Sequence, residues 1–330
     1  MKTMEQKPKR LLLPLCVTAC VLFVVFFFAV NTGGIRVSPA TLFRGLFVAY
    51  DRDVAIILQL RFPRIFMAMV GGAMMSVAGV LMQAVMRNPL ADPGIIGVSS
   101  GAAFAAVLVS SFLPSLALWT PLFSFFGGLL AFFLVYLLAQ KGTASPIRLI
   151  LTGIAIDAFF SGLYQAFSSK YSGAQSIISA NISQKNWTDV RTICIYAAVC
   201  VLPVICSARA CDLLALSDDT VHGLGVNLRR TRLLLSLLSV CLASVFTAMI
   251  GAVAFLGLIV PHIARLLVGS QHKKLLPYSA VLGATVFLLA DTVGRAVAYP
   301  YEISAAIVMA IIGGPAFIVL LRRSGGVYGT

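Results

Sequence analysis

Residues 87–101 read Arg-Asn-Pro-Leu-Ala-Asp-Pro-Gly-Ile-Ile-Gly-Val-Ser-Ser-Gly, a polar, proline-broken stretch between two long apolar runs. Each proline fixes its own φ and biases the residue before it away from the helical region, so Asn88-Pro89 and Asp92-Pro93-Gly94 are turn chemistry. One helix stops here and another starts. Upstream, Arg61-Phe62-Pro63-Arg64 opens a run to Met86 that contains no further charge. That run is long enough to cross a hydrocarbon core at about 20 residues per span. The stretch therefore reads as a short connection between two membrane-spanning helices.

Working outward, the whole chain has this character. Apolar residues make up 60% of it and charged residues 11%, against about a quarter charged in soluble proteins. Charge-poor segments near 11–31, 58–86, 95–112, 116–139, 149–168, 192–208, 233–251, 252–268, 276–294 and 303–321 predict an all-α polytopic membrane protein of about ten spans, the seventh and eighth running nearly together. Residues 1–330 read as a single transmembrane domain. The first apolar run follows Lys7, Lys9 and Arg10 like a signal peptide, but no small-residue cleavage site ends it, so it reads as a retained span after a cytoplasmic 1–10. With both termini inside, most of the 25 basic residues fall on the cytoplasmic side, as the positive-inside rule requires. The formal net charge of +14 then serves membrane anchoring and partner docking, and nothing calls for nucleic acid.

Small residues recur at four-residue spacing in Ala68, Gly72 and Ser76, in Gly97, Gly101 and Ala105, and in Ala306, Ala310 and Gly314. Such stripes let helix backbones approach closely inside lipid, where no hydrophobic force drives helices together. The seven cysteines lie in or beside apolar spans without a C-x-x-C spacing, so they predict small buried hydrophobes rather than a metal site. No cofactor is expected. Asp157, Asp291 and Glu302 are acids in or at the edges of spans, where a charge must face a cavity, a partner or water. Asp291 and Arg295, four apart on one helical face, suit a local ion pair.

Four further passages carry a family resemblance: Cys211 to Asn227 (C-D-L-L-A-L-S-D-D-T-V-H-G-L-G-V-N), Gly251 to Arg265 (G-A-V-A-F-L-G-L-I-V-P-H-I-A-R), Leu289 to Arg295, and Ile312 to Arg323. With residues 61–64 and 87–101 they resemble, in order, the permease subunits of the bacterial ATP-driven importers for iron-siderophore, haem and cobalamin complexes, the FecCD-like family. The resemblance spans about Arg61 to Arg323. It implies a type II ABC importer permease fold in the bacterial inner membrane. Implied partners are a second permease subunit, the same chain in a homodimer or a related one, two ATP-binding subunits, an extracytoplasmic substrate-binding protein and membrane lipid. It also implies a metal-chelate substrate, iron-siderophore foremost, with haem and cobalamin as alternatives.

Site residues follow in the same way. Within the cytoplasmic segment 209–232, Ser217 can cap a short helix through Asp218 and Asp219, and Gly223 and Gly225 can end it. The resemblance makes Ser217, Asp218, Asp219, His222, Gly223, Leu224 and Gly225 the element gripped by the ATPase. Arg61, Arg64 and Arg295 would form an external basic patch that docks the binding protein. The resemblance makes Gly142, Thr143, Ala144 and Ser145 a cytoplasmic gate, although as plain sequence they read rather as a tight interhelical loop. The external loop before the sixth span departs from the family pattern of Trp, Gly-Ser and a second Trp, since Ile177 and Ala180-Asn181 stand in the first two places and only Trp187 remains.

ATP itself must be handled elsewhere, because no G-x-x-x-x-G-K-[ST] loop and no Gly-Lys dipeptide occurs in the chain. The chain is thus expected to be a transport subunit without catalytic residues of its own. The alternative is an ion-coupled secondary transporter that uses Asp157, Asp291 and Glu302 as proton or cation sites.

Overall fold

The computed structural model describes residues 11–324 apart from 34, 36, 95, 140–145, 171–181 and 300. Among them the chain is helical, with no strand: α1 (Leu12–Asn31), α2 (Pro39–Phe47), α3 (Arg52–Met86), α4 (Val98–Phe112), a 3-10 turn (Pro114–Trp119), α5 (Thr120–Ala139), α6 (Pro146–Lys170), α7 (Trp187–Leu214), α8 (Asp218–Gly223), α9 (Leu228–Ile250), α10 (Leu256–Val268), α11 (His272–Val297) and α12 (Ala305–Ser324). Ten of these coincide with the ten apolar segments, and α2 and α8 are the short additions.

The longest element, α3, is the axis of the bundle. Asp51 starts it by accepting from the Asp53 and Val54 amides at 3.0 and 3.1 Å, and Arg87 ends it in the left-handed region at φ 49°. Its most apolar window is 78% buried, against 22% for α1 and α7. So α3 threads the interior, packed by α1, α7, α9, α10 and α11, while α1 and α7 present leucine, valine and phenylalanine outward to lipid.

Backbone contact through glycine makes this packing possible. A methyl on Gly72 would strike the Gly283 carbonyl and one on Gly283 the Gly72 carbonyl, and Ser76 Oγ donates to the Ser279 carbonyl at 2.8 Å. That stripe is the α3–α11 interface. Gly101 and Gly127 block each other in the same way across α4 and α5. The third stripe behaves differently: nothing approaches Gly314 and Ala310 is exposed, while neighbouring Gly313 packs on Phe255. Small residues set which helix can be approached but not its rotational phase, and here the phase is one residue away.

The near-continuous seventh and eighth segments are separated by residues 251–255, which are not helical. Gly251 has φ 113° and Phe255 φ 67°, values that break a helix from both sides. Ile250 meets Gly71 midway along α3, whereas Gly257 already lies against Gly79 and Arg265 donates to Gln83 at 2.5 Å. Thus the 13-residue α10 occupies the Arg87 half of the bundle instead of crossing it, at about 20 Å by 1.5 Å per residue. Gly251 and Val253 of this irregular stretch are buried in the bundle, while Ala254 is exposed; irregular backbone at membrane depth is tolerated where protein or a water-filled cavity covers it.

Candidate functional site

The segment following α7 folds as a cap, a helix turn and a glycine turn. Ser217 Oγ accepts from the Thr220 amide at 3.4 Å and pairs with the Thr220 hydroxyl at 2.7 Å, which starts α8. Asp218 and Asp219 lie in its first turn, where acids suit the positive end of a helix. Gly225 then takes φ 74°, and Asn227 Oδ1 accepts from the Arg230 amide at 3.0 Å to start α9. Val221 is the buried anchor of the element. Asp219, His222, Gly223, Leu224 and Gly225 are exposed, and an exposed leucine beside such a turn offers apolar surface to a partner.

Arg87 fixes this element to the bundle. Its Nε donates to the Leu214 carbonyl at 2.6 Å, its Nη2 donates to the Leu216 carbonyl at 2.7 Å, and its Nη1 pairs with Asp218 Oδ1 at 2.6 Å. One planar guanidinium thus satisfies two carbonyls left open at the end of α7 and the acid at the start of α8, a fork that a lysine could not reproduce. Arg232 on α9 adds a second contact to Asp218 at 3.1 Å. Close by, Asp212 Oδ1 accepts from the His272 backbone amide at 3.0 Å and meets His272 Nδ1 at 2.7 Å, so that it caps α11. Sequence reasoning found α8 but missed Arg87; the available signal was a lone arginine closing a charge-free span just before Asn88-Pro89.

About 35 Å back along α3 at 1.5 Å per residue, twelve residues from its start at Arg52, Arg64 lies in a buried cluster. Its Nε donates to both Asp291 carboxylate oxygens at 3.0 Å, its Nη2 to Oδ1 at 2.8 Å, and its Nη1 to Glu302 Oε2 at 2.7 Å. Arg295 Nε adds a 3.2 Å pair to Asp291 Oδ2, the expected four-residue ion pair. Side-chain exposure is 7% for Arg64, 6% for Arg295 and 0% for Asp291. The exposed basic patch expected of Arg61, Arg64 and Arg295 is therefore not formed. Arg64 and Arg295 are turned inward and neutralised by two acids, because a buried guanidinium requires a carboxylate partner. Arg61 is engaged separately, donating to the Val30 and Ile35 carbonyls at 2.5 and 2.7 Å.

The three acids of the ion-coupled alternative are not brought together. Asp291 and Glu302 share Arg64, whereas Asp157 lies on α6, beside Ser100 of α4. Trp187 anchors the start of α7 to α3 through Nε1 donating to the Leu58 carbonyl at 3.0 Å and a ring contact with Phe66. The expected gate, Gly142, Thr143, Ala144 and Ser145, lies outside the described residues.

Residues 21–323 match the FecCD transport family. Among curated relatives, the iron(3+)-hydroxamate import system permease FhuG of Bacillus subtilis (strain 168) is 38% identical over 338 residues, covering 98% of this chain and 100% of the relative. The probable heme-iron transport system permease IsdF of Staphylococcus aureus (strain Newman) is 37% identical over 318 residues, covering 96% and 98%. A solved structure described as an inward-facing, metal-chelate type ABC transporter superposes with TM-score 0.79 at 29% identity, covering 94% of this chain and 98% of that one. PsaBC of Streptococcus pneumoniae, at 17% identity and TM-score 0.60 over 86% and 95%, shares the fold.

Proposed function

Because the chain belongs to the FecCD transport family, we propose that it is the permease subunit of a binding-protein-dependent importer that moves a metal chelate inward, driven by ATP hydrolysed on a separate chain. The substrate is an iron-siderophore before haem or cobalamin, in keeping with the hydroxamate and heme-iron relatives. The observation that carries the reading is the exposed helix α8 latched by Arg87 to the end of α3. A helix held on one side by a salt-bridged fork and open on the other can receive a push from a partner and pass it to the bundle as a rigid body. The absence of a phosphate-binding loop from the sequence supports placing hydrolysis elsewhere.

In this assembly two permease subunits, copies of one chain or a related pair, meet two ATP-binding subunits at the α8 end and a substrate-binding protein at the Arg64 end. The excess of basic residues toward the α8 end supports a cytoplasmic placement of that end and of both termini in a bacterial inner membrane. The binding protein then docks over a charge-balanced cluster of which Glu302 is the exposed member, 43% accessible.

Two valine substitutions test the coupling role. Gly225 sits at positive φ, where a side chain costs about 1–2 kcal/mol, enough to lower the population of the native turn about 5–30-fold, so Gly225→Val should depress uptake while membrane insertion persists. A side chain at Gly223 meets open space in this chain, so Gly223→Val should fold normally and lower substrate-stimulated hydrolysis only by spoiling the fit of the ATPase. Wild-type uptake and hydrolysis in both variants would refute the assignment of α8.

A further inference from the structure

Beside the coupling element, and lined in part by its His222 and Gly225, lies a cleft of about 930 Å³. It is walled by the ends of α3 and α5, by α8 and by the first turns of α9, and its two halves differ in chemistry. One half is apolar and continuous with the outer face of the bundle: Phe133 and Tyr136 on α5 and Leu233 on α9 line it, and each is 44–46% exposed. The other half is cationic. Arg229 and Arg232 lie on one helical turn of α9, Arg87 stands opposite, and among the described residues Asp218 is the one acid lining the space.

We propose that this cleft binds an anionic phospholipid, its phosphate held by Arg229 and Arg232 and the upper part of its acyl chains by Phe133 and Leu233. Three considerations lead there. Basic pockets between spanning helices at the membrane surface attract acidic headgroups, and guanidinium groups grip phosphate oxygens in pairs. A soluble anion would leave the apolar half of the cleft facing water, whereas an amphiphile covers both halves at once. The position is also that of a headgroup: Arg87 closes the membrane-crossing α3, and Tyr136 stands near the end of α5, the level at which aromatic hydroxyls meet the interface. Occupancy would place the lipid phosphate in competition with Asp218 for Arg232, next to α8. The binding itself stands independently of the coupling proposal.

The test uses the full chain in an uncharged detergent, with bound lipid counted by native mass spectrometry and thermal unfolding followed in parallel. Phosphatidylglycerol should bind saturably and raise the unfolding midpoint, and phosphatidylcholine should do neither. Arg229→Glu should weaken phosphatidylglycerol binding about tenfold or more. Arg230→Glu, one residue along but outside the cleft, should leave it unchanged. If Arg229→Glu does not fold, Phe133→Ser on the lipid-facing wall decides the matter by the same loss of binding. Equal binding of the two lipids would overturn the proposal, as would equal weakening by the Arg229 and Arg230 variants. Inorganic phosphate that displaces phosphatidylglycerol at millimolar concentration would show a simple anion site and overturn it too.

Discussion

Asp291→Ala is expected to destabilise the folded chain by about 3–5 kcal/mol, the range for removing one partner of a buried ion pair. The carboxylate is fully buried and takes three hydrogen bonds from Arg64 and an ion pair from Arg295. Without it two guanidinium groups remain inside the bundle, and Glu302, 43% accessible, can neutralise at most one. Unfolding of the purified chain in increasing denaturing detergent measures the effect. Glu302→Gln should cost about 1 kcal/mol or less, because its charge is partly solvated and the pair is screened. Replacing Arg64 and Asp291 together by methionine and leucine should recover part of the loss, since one buried guanidinium, Arg295, is then left without its acid where Asp291→Ala leaves two. Equal stability of Asp291→Ala and Glu302→Gln would contradict the buried cluster.

Arg87→Ala is expected to abolish productive coupling while leaving the bundle intact. The side chain makes two charged hydrogen bonds and one ion pair to the segment leading into α8. Each charge-assisted bond contributes about 1.5–3 kcal/mol when shielded, reduced here because Arg87 is 34% exposed. Loss of even one such bond is enough for about a tenfold drop in uptake. Arg87→Lys is the informative control. It keeps the charge opposite Asp218 but cannot span the Leu214 and Leu216 carbonyls in one plane, so it should transport little better than alanine. Hydrolysis by the assembled complex should continue without matching uptake. Lysine at wild-type rates would mean that charge alone matters and that the fork does not position α8.

These two expectations rest on contacts that the sequence could not display. Hydropathy located ten helices because about 20 apolar residues leave little choice of conformation in lipid, and turn chemistry at Asn88-Pro89 and Ser217 marked where they stop. Local signals of this kind also placed α8 and its glycine turn, although of the two glycines only Gly225 adopts positive φ. Pairing across the bundle is another matter. Arg64 and Asp291 are 227 residues apart in sequence, and nothing in a hydropathy profile distinguishes an arginine at the membrane surface from one turned inward to an acid. The same applies to α10, whose apolar run resembles a crossing until Gly251 and Phe255 are known to break the backbone. The stripe in α12 fails for a related reason, because the residue that packs depends on rotation about the helix axis, which one helix alone does not determine.

The most direct test of transport powered by a partner ATPase is uptake into proteoliposomes that hold the assembled importer, with a ferric hydroxamate chelate and its binding protein outside. ATP inside the vesicles and a protonophore are varied independently. Uptake should require ATP and persist when the proton gradient is collapsed. Uptake that proceeds without ATP and stops with the protonophore would contradict the account and favour an ion-coupled carrier.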